Sequence, residues 1–157
     1  MQKDDFFTTN PHKSISKVTI NSFMMGSLFF VLTLIITLSP ERFSPLVIYQ
    51  LVLAIPLLFV SSLAYSKIGY WKETSGWNTL GWFTNNIGNL FVINAIGIVA
   101  AKFNLILAYV YFSIFSILMI IYTLINIKYN KKKTVSKIFK LIFLLVIIFL
   151  GGILPLI

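Results

Sequence analysis

Cysteine is absent from the chain, and with it go disulfides, thiolate metal sites, cysteine nucleophiles and palmitoylation. Acid is scarce. Asp4, Asp5, Glu41 and Glu73 are the whole carboxylate inventory, and His12 is the only histidine. All five lie outside the long apolar runs. General acid-base catalysis, and proton or sodium coupling within a membrane, therefore have no residue to use there. No His or carboxylate set is spaced to converge on a metal. No phosphate cradle or base-stacking motif accompanies the basic residues. These absences predict a protein that is not an enzyme and has no cofactor, no metal site and no nucleic acid partner.

What the chain does hold is hydrocarbon. Of its 157 residues 58% are hydrophobic and only 11% charged, where soluble domains carry charge on about a quarter. The apolar residues come in five runs, each long enough for a bilayer core of roughly 30 Å. The expected fold is all-α: a polytopic helical membrane protein with five transmembrane helices, over about 20–38, 45–66, 79–101, 105–127 and 138–157. Ahead of them, 1–19 reads as a polar cytoplasmic tail. It is not expected to be a signal peptide, because the apolar run behind it is too long for an h-region and no small-residue cleavage site follows. The expected location is the cell membrane, multi-pass, as in a bacterial inner or plasma membrane.

The third run organises the rest. It reads TLGWFTNNIGNLFVINAIGIVAA, and places Asn85, Asn86, Asn89 and Asn94 among apolar residues. Each carboxamide unpaired in lipid costs several kcal/mol, roughly. This helix is therefore expected at the buried centre, with Gly81, Gly88 and Gly97 letting neighbouring backbones approach. Polar residues on the other runs repeat at helical spacing and are expected to face it. These are Ser22, Gly26, Thr33 and Thr37 in the first run, Gln50, Ala54, Ser61 and Tyr65 in the second, and Tyr109, Ser113, Ser116, Thr123 and Asn126 in the fourth. Counting inward from the membrane surface puts Asn94 level with Val52, Gln50 and Tyr109 a little further out in the same polar layer, Asn89 level with Ser116 and Asn85 with Ser61. Pro56 removes the N–H that the Val52 carbonyl would otherwise receive, so Asn94 is expected to bond there or to Gln50.

Two chemical readings of this polar interior stand side by side. It is a set of interhelical hydrogen bonds, each worth about 0.6 to 2 kcal/mol, or it lines a path for a neutral or weakly polar solute. The connections are simpler. In Ser39-Pro40-Glu41-Arg42-Phe43-Ser44-Pro45, Ser44 is placed to cap the second helix and Pro45 suits its first turn. Trp71, Trp77 and Trp82 read as an interfacial belt, or as a stacking surface for a ligand. Lys102-Phe103-Asn104 joins the third and fourth spans in a tight hairpin. The loop lysines Lys128, Lys131, Lys132, Lys133 and Lys137, with Lys140 just beyond, either set the topology or hold anionic lipid. The fifth run is apolar all round and belongs on the outside of the bundle.

Charge orients the chain. With a cytoplasmic N-terminus the inner segments hold eleven basic residues and the outer ones two, Arg42 and Lys102; the positive-inside rule favours that arrangement. The C-terminus is then extracytoplasmic, ending at the membrane surface. The function expected from all this is assembly. The chain reads as a homo-oligomer or the membrane subunit of a larger complex, with the bilayer and itself or a membrane protein as partners. A passive channel or carrier using the polar interior is the alternative.

Overall fold

The computed structural model describes residues 11–38, 41, 43–68, 70, 74–129 and 131–157. Trp71, the first ten residues and Ser39, Pro40 and Arg42 of the first turn lie outside them, as do Lys72 and Glu73; of Lys132 only the backbone is described. The described residues are helical throughout their ordered elements, and five helices are long and apolar enough to cross a membrane. They are α1 (Pro11–Leu38), α2 (Pro45–Lys67), α3 (Ser75–Phe103), α4 (Leu105–Tyr129) and α5 (Thr134–Ile148). A turn of π-helix (Phe149–Ile153) and a short 3-10 turn (Leu154–Leu156) extend α5. The chain forms two compact units, one closing at Val92 and the other opening at Ile93. α3 is shared between them without a break.

In the first unit α1 and α2 pack as an antiparallel pair. α1 begins at Pro11, well before the expected start at 20, so 11–19 is helix and not solvated tail. At 1.5 Å per residue its 28 residues give about 42 Å, the bilayer with its headgroup layers rather than the hydrocarbon alone. Hydropathy marks the hydrocarbon segment only. The preceding turns are polar, a composition suited to headgroup depth, and Ser14 among them is nevertheless buried against the fold.

The buried face of α1 is Ser14, Asn21, Leu28 and Ile35, with Leu32 beside them. That seven-residue repeat lies on a different side from the expected one. Ser22, Gly26, Thr33 and Thr37 are all exposed. Their exposure in lipid is cheap for a specific reason. The hydroxyls of Ser22 and Thr33 donate to the carbonyls of Val18 and Phe29, four residues back in the same helix, so no donor is left unpaired. α2 does turn the expected residues inward: Gln50, Ala54, Ser61 and Tyr65 are all buried. Ser44 occupies the N-cap of α2, but its side chain makes no cap bond; its carbonyl instead accepts the Val47 N–H at 2.9 Å. Pro45 supplies the first turn and Pro56 lies inside the helix.

In the second unit Asn104 alone separates α3 from α4. Its N–H closes α3 on the Ala100 carbonyl, while its Oδ1 accepts the Ile106 N–H at 2.8 Å and caps α4. One asparagine thus ends a helix and begins the next, which makes so short a hairpin possible. α4 returns to α5 through a 3-10 turn at Lys131–Lys133, where the Thr134 hydroxyl donates to the Lys131 carbonyl. On α5 only Ser136, Leu144 and Ile148 are buried, and the rest of its surface is half-buried or exposed and mostly apolar, which suits lipid.

Candidate functional site

Asn21 is the polar centre of the first unit, although it stands alone in an apolar run. It is fully buried, and its amide donates to the Ser61 hydroxyl at 3.0 Å; that hydroxyl donates in turn to the Gly81 carbonyl at 3.2 Å. The relay joins α1, α2 and α3. Ser61 therefore serves Asn21 and the backbone of α3, not Asn85 as the count of depths suggested. The carbonyl oxygen of Asn21 has no hydrogen-bond partner among the described residues.

One turn toward the start of α1 and the end of α2 the same two helices meet again. Lys17, four residues before Asn21, donates to the hydroxyl of Tyr65, four residues after Ser61, at 2.8 Å; its ammonium stands 4.4 Å from the centre of the Tyr65 ring. The ring lies over Gly81, where a Cβ would come within 3.0 Å of it. Gly88 is covered in the same manner by Leu58. Gly81 and Gly88 of α3 thus admit side chains from α2, where backbone approach had been expected.

Asn94 centres the second unit, fully buried, with its amide donating to the Ile147 carbonyl of α5 at 3.2 Å. The expected pairing of Asn94 with Val52 or Gln50 lies across the two units; within its own unit the donor serves α5. Just past Ile147 the helix widens to a π turn, and the Leu154 N–H reaches back to the Phe149 carbonyl. Widening of this kind accompanies a side chain reaching into the helical ladder. Pro155, which has no N–H to give, prevents the α-helix from resuming. The ring of Phe112 fills the space between Gly97 of α3 and Gly152 of the π turn, and a Cβ at Gly152 would lie 2.7 Å from Asn94 Oδ1. The Asn94 Oδ1 atom likewise has no hydrogen-bond partner among the described residues.

The remaining candidates separate into groups. Gln50 and Thr123 are buried; Asn85, Asn86, Asn89 and Ser116 are half-buried. Asn86 and Asn89 turn their amides to the Trp82 and Asn85 carbonyls of their own helix, at 2.6 and 2.8 Å. Tyr109 and Ser113 are exposed, a correction to their expected place inside. The inward face of α4 is carried by Ala108, Phe112 and Thr123, and the helix is apolar enough that polarity alone does not mark its buried side. Of the aromatic belt, Trp77 is exposed and Trp82 half-buried, edge-on to Phe83 at 4.9 Å.

The lysine loop has internal work. Lys137 donates to the Asn126 carbonyl, in the last turn of α4, where the helix dipole leaves partial negative charge. Lys128 and Lys131 are exposed, Lys133 and Lys140 half-buried. Among the described residues no three His, Cys, Asp or Glu side chains stand together. Sequence reasoning passed over Asn21 and Lys17. The signal that finds them is the seven-residue recurrence of Ser14, Asn21, Leu28 and Ile35, continuing into the polar turns of α1.

Comparison with protein-family models, curated proteins and solved structures finds no match to this chain.

Proposed function

We propose that the chain is a non-enzymatic membrane protein that acts through helix assembly, as a homo-oligomer or as the membrane subunit of a larger complex. The observation that carries this reading is the use made of the buried polar side chains. Asn21 and Ser61 tie three helices together, Asn94 ties α3 to α5, and the amides of Asn86 and Asn89 are committed to their own helix. Groups engaged in this manner support cohesion between helices and leave fewer donors for a moving solute. α5, whose exposed residues Val135, Ile138, Phe139, Ile142 and Val146 are all apolar, offers a flank for a partner helix.

The same reading places the protein in the cell membrane with Lys13, Lys17, Lys67 and the lysine loop on the cytoplasmic side and the C-terminus outside, following the positive-inside rule. A reporter inserted near Lys132 should then report the cytoplasm and one fused after Ile157 the exterior. The functional test uses purified protein in liposomes together with its mass in detergent. A stable oligomer, or a co-purifying membrane protein, with no solute flux is the expected result. Flux of a neutral solute by the monomer would replace this reading with the passive channel.

A further inference from the structure

On the outside of α1 the hydroxyls are spent on α1 itself. Ser22, Ser27 and Thr33 are exposed, and each donates to the carbonyl four residues back, at 2.9, 3.1 and 2.8 Å. Ser62 of α2 and Thr84 of α3, both half-buried, do the same. α4 departs from this pattern. Exposed Ser113 and half-buried Ser116 have no hydrogen-bond partner among the described residues. With α4 across the bilayer, Ser113 stands about 12 Å along the helix from Leu105 and about 24 Å from Tyr129, at roughly 1.5 Å per residue. A serine side chain is too short to reach the headgroups from there, as a tyrosine or a lysine can. An unpaired hydroxyl in hydrocarbon costs free energy until it finds a partner.

Ser113 is also the centre of an outward face. Ile106, Tyr109, Ile117, Ile120 and Leu124 are exposed with it, and their steps of three or four residues put all six on one side of the helix. Ser116 borders that side. No charged residue lies between Leu105 and Ile127. Two copies of a chain with a formal net charge of +9 can therefore bring these faces together without like charges meeting in the membrane. The hydroxyl itself selects a second copy as the partner. It both donates and accepts, and copies inserted in one orientation are related by a two-fold axis along the membrane normal, which sets each residue level with its own counterpart. Serine can then pair with the same serine, which an ammonium or a carbonyl cannot do. Its small size lets the two helix backbones approach.

We propose, within the assembly reading, that two copies of the chain pair through this face of α4, with the two Ser113 hydroxyls hydrogen-bonded to each other across the axis. A chain without cysteine suits the test. Single variants of the full chain are oxidised in membranes with copper phenanthroline, and dimers are read on non-reducing gels. A disulfide requires Cβ atoms about 3.5 to 4.5 Å apart. Ser113→Cys should cross-link most, with Ile106→Cys, Ile117→Cys and Ile120→Cys following. Leu118→Cys on another side of α4, Ser22→Cys on α1 and Val146→Cys on α5 should stay at background.

The dimer dissociation constant in detergent, measured by analytical ultracentrifugation, gives the second readout. Ser113→Leu should raise it about five-fold, the equivalent of about 1 kcal/mol, and leave the melting midpoint of the dilute monomer unchanged, because leucine suits a lipid-facing position. Ser22→Leu should leave the constant as it is. Cross-linking at Ser22→Cys or Val146→Cys equal to that at Ser113→Cys, or full dimer affinity in Ser113→Leu, would overturn the pairing and leave the assembly reading with a different surface. A monomer held by a different membrane protein would likewise overturn the pairing alone. A chain that stays monomeric and brings no membrane protein with it would overturn both.

Discussion

Phe112 of α4 lays its ring where a side chain at Gly97 of α3 would have to stand. The ring is itself fully buried and bounded on its other side by Gly152, so it has no free direction in which to yield. Packed interiors transmit such an intrusion instead of absorbing it.

Gly97→Ala should therefore destabilise the protein by about 1 to 3 kcal/mol, the usual cost of overpacking, against the small helix-propensity gain of Ala over Gly. Phe112→Leu in the same chain should recover part of the loss by shortening the obstructing ring. Thermal unfolding in detergent of the two single variants and the double variant checks this. If Gly97→Ala melts with the wild type, the ring is not confined between the glycines.

The relay from Asn21 through Ser61 to the Gly81 carbonyl predicts coupling across α1, α2 and α3. Ser61→Ala strands the Asn21 amide in a dry interior, whereas Asn21→Leu removes the amide altogether. Each should lower stability, and the double variant should lose less than the two together. The interaction energy expected is about 0.6 kcal/mol, rising toward 1.7 for the best membrane pairs. A double-mutant cycle of melting midpoints and enthalpies measures it. Strict additivity would show that the two side chains do not act as a pair.

The five helices could be read in the sequence because a run of apolar residues long enough to span a bilayer is a strong, nearly unambiguous pattern. Which side of each helix faces inward was less legible. On α2 the polar residues carry the information: Ser61 and Tyr65 bond to other helices and are buried. On α1 they mislead, since a Ser or Thr hydroxyl can satisfy itself on its own helix and face lipid, as Ser22 and Thr33 do. A lone Asn has stronger reason to be inside, yet Asn21 was hidden by the denser cluster on α3. Within that cluster two members, Asn86 and Asn89, bond to their own backbone. The π turn at the end of α5 left only an indirect trace, Gly151, Gly152 and Pro155 within a few residues.

That contrast within α3 can be tested. Asn94 gives its amide to α5, while Asn86 and Asn89 give theirs to carbonyls of their own helix. Asn94→Ala should cost about 1 to 3 kcal/mol, from the lost bond and the void left at a fully buried site. Asn86→Ala and Asn89→Ala, half-buried and without interhelical donation, should fall within about 0.5 kcal/mol of wild type, helped by the higher helix propensity of Ala. Melting curves of the three variants give the ranking. Equal losses at all three positions would contradict the distinction.

Lys137 offers a test of what the lysine loop does for the fold. Its ammonium donates to the Asn126 carbonyl in the last turn of α4, where the helix dipole leaves partial negative charge. Lys137→Met keeps the apolar stem and removes the charge and the donor together. A cation at a helix C-terminus contributes about 0.3 to 1 kcal/mol when exposed and up to ~2 when partly buried. Half-buried Lys137 should fall in the upper part of that range. Lys131→Gln, whose side chain is exposed, removes the same charge from the same loop without touching a helix end, and should cost less than about 0.5 kcal/mol. The comparison should be made at low and high ionic strength, because salt screens the charge term but leaves the lost hydrogen bond. The gap between the two variants should narrow at high salt without closing. Identical melting of the two at both ionic strengths would mean that the loop lysines act only through their summed charge, and that Lys137 does not cap α4.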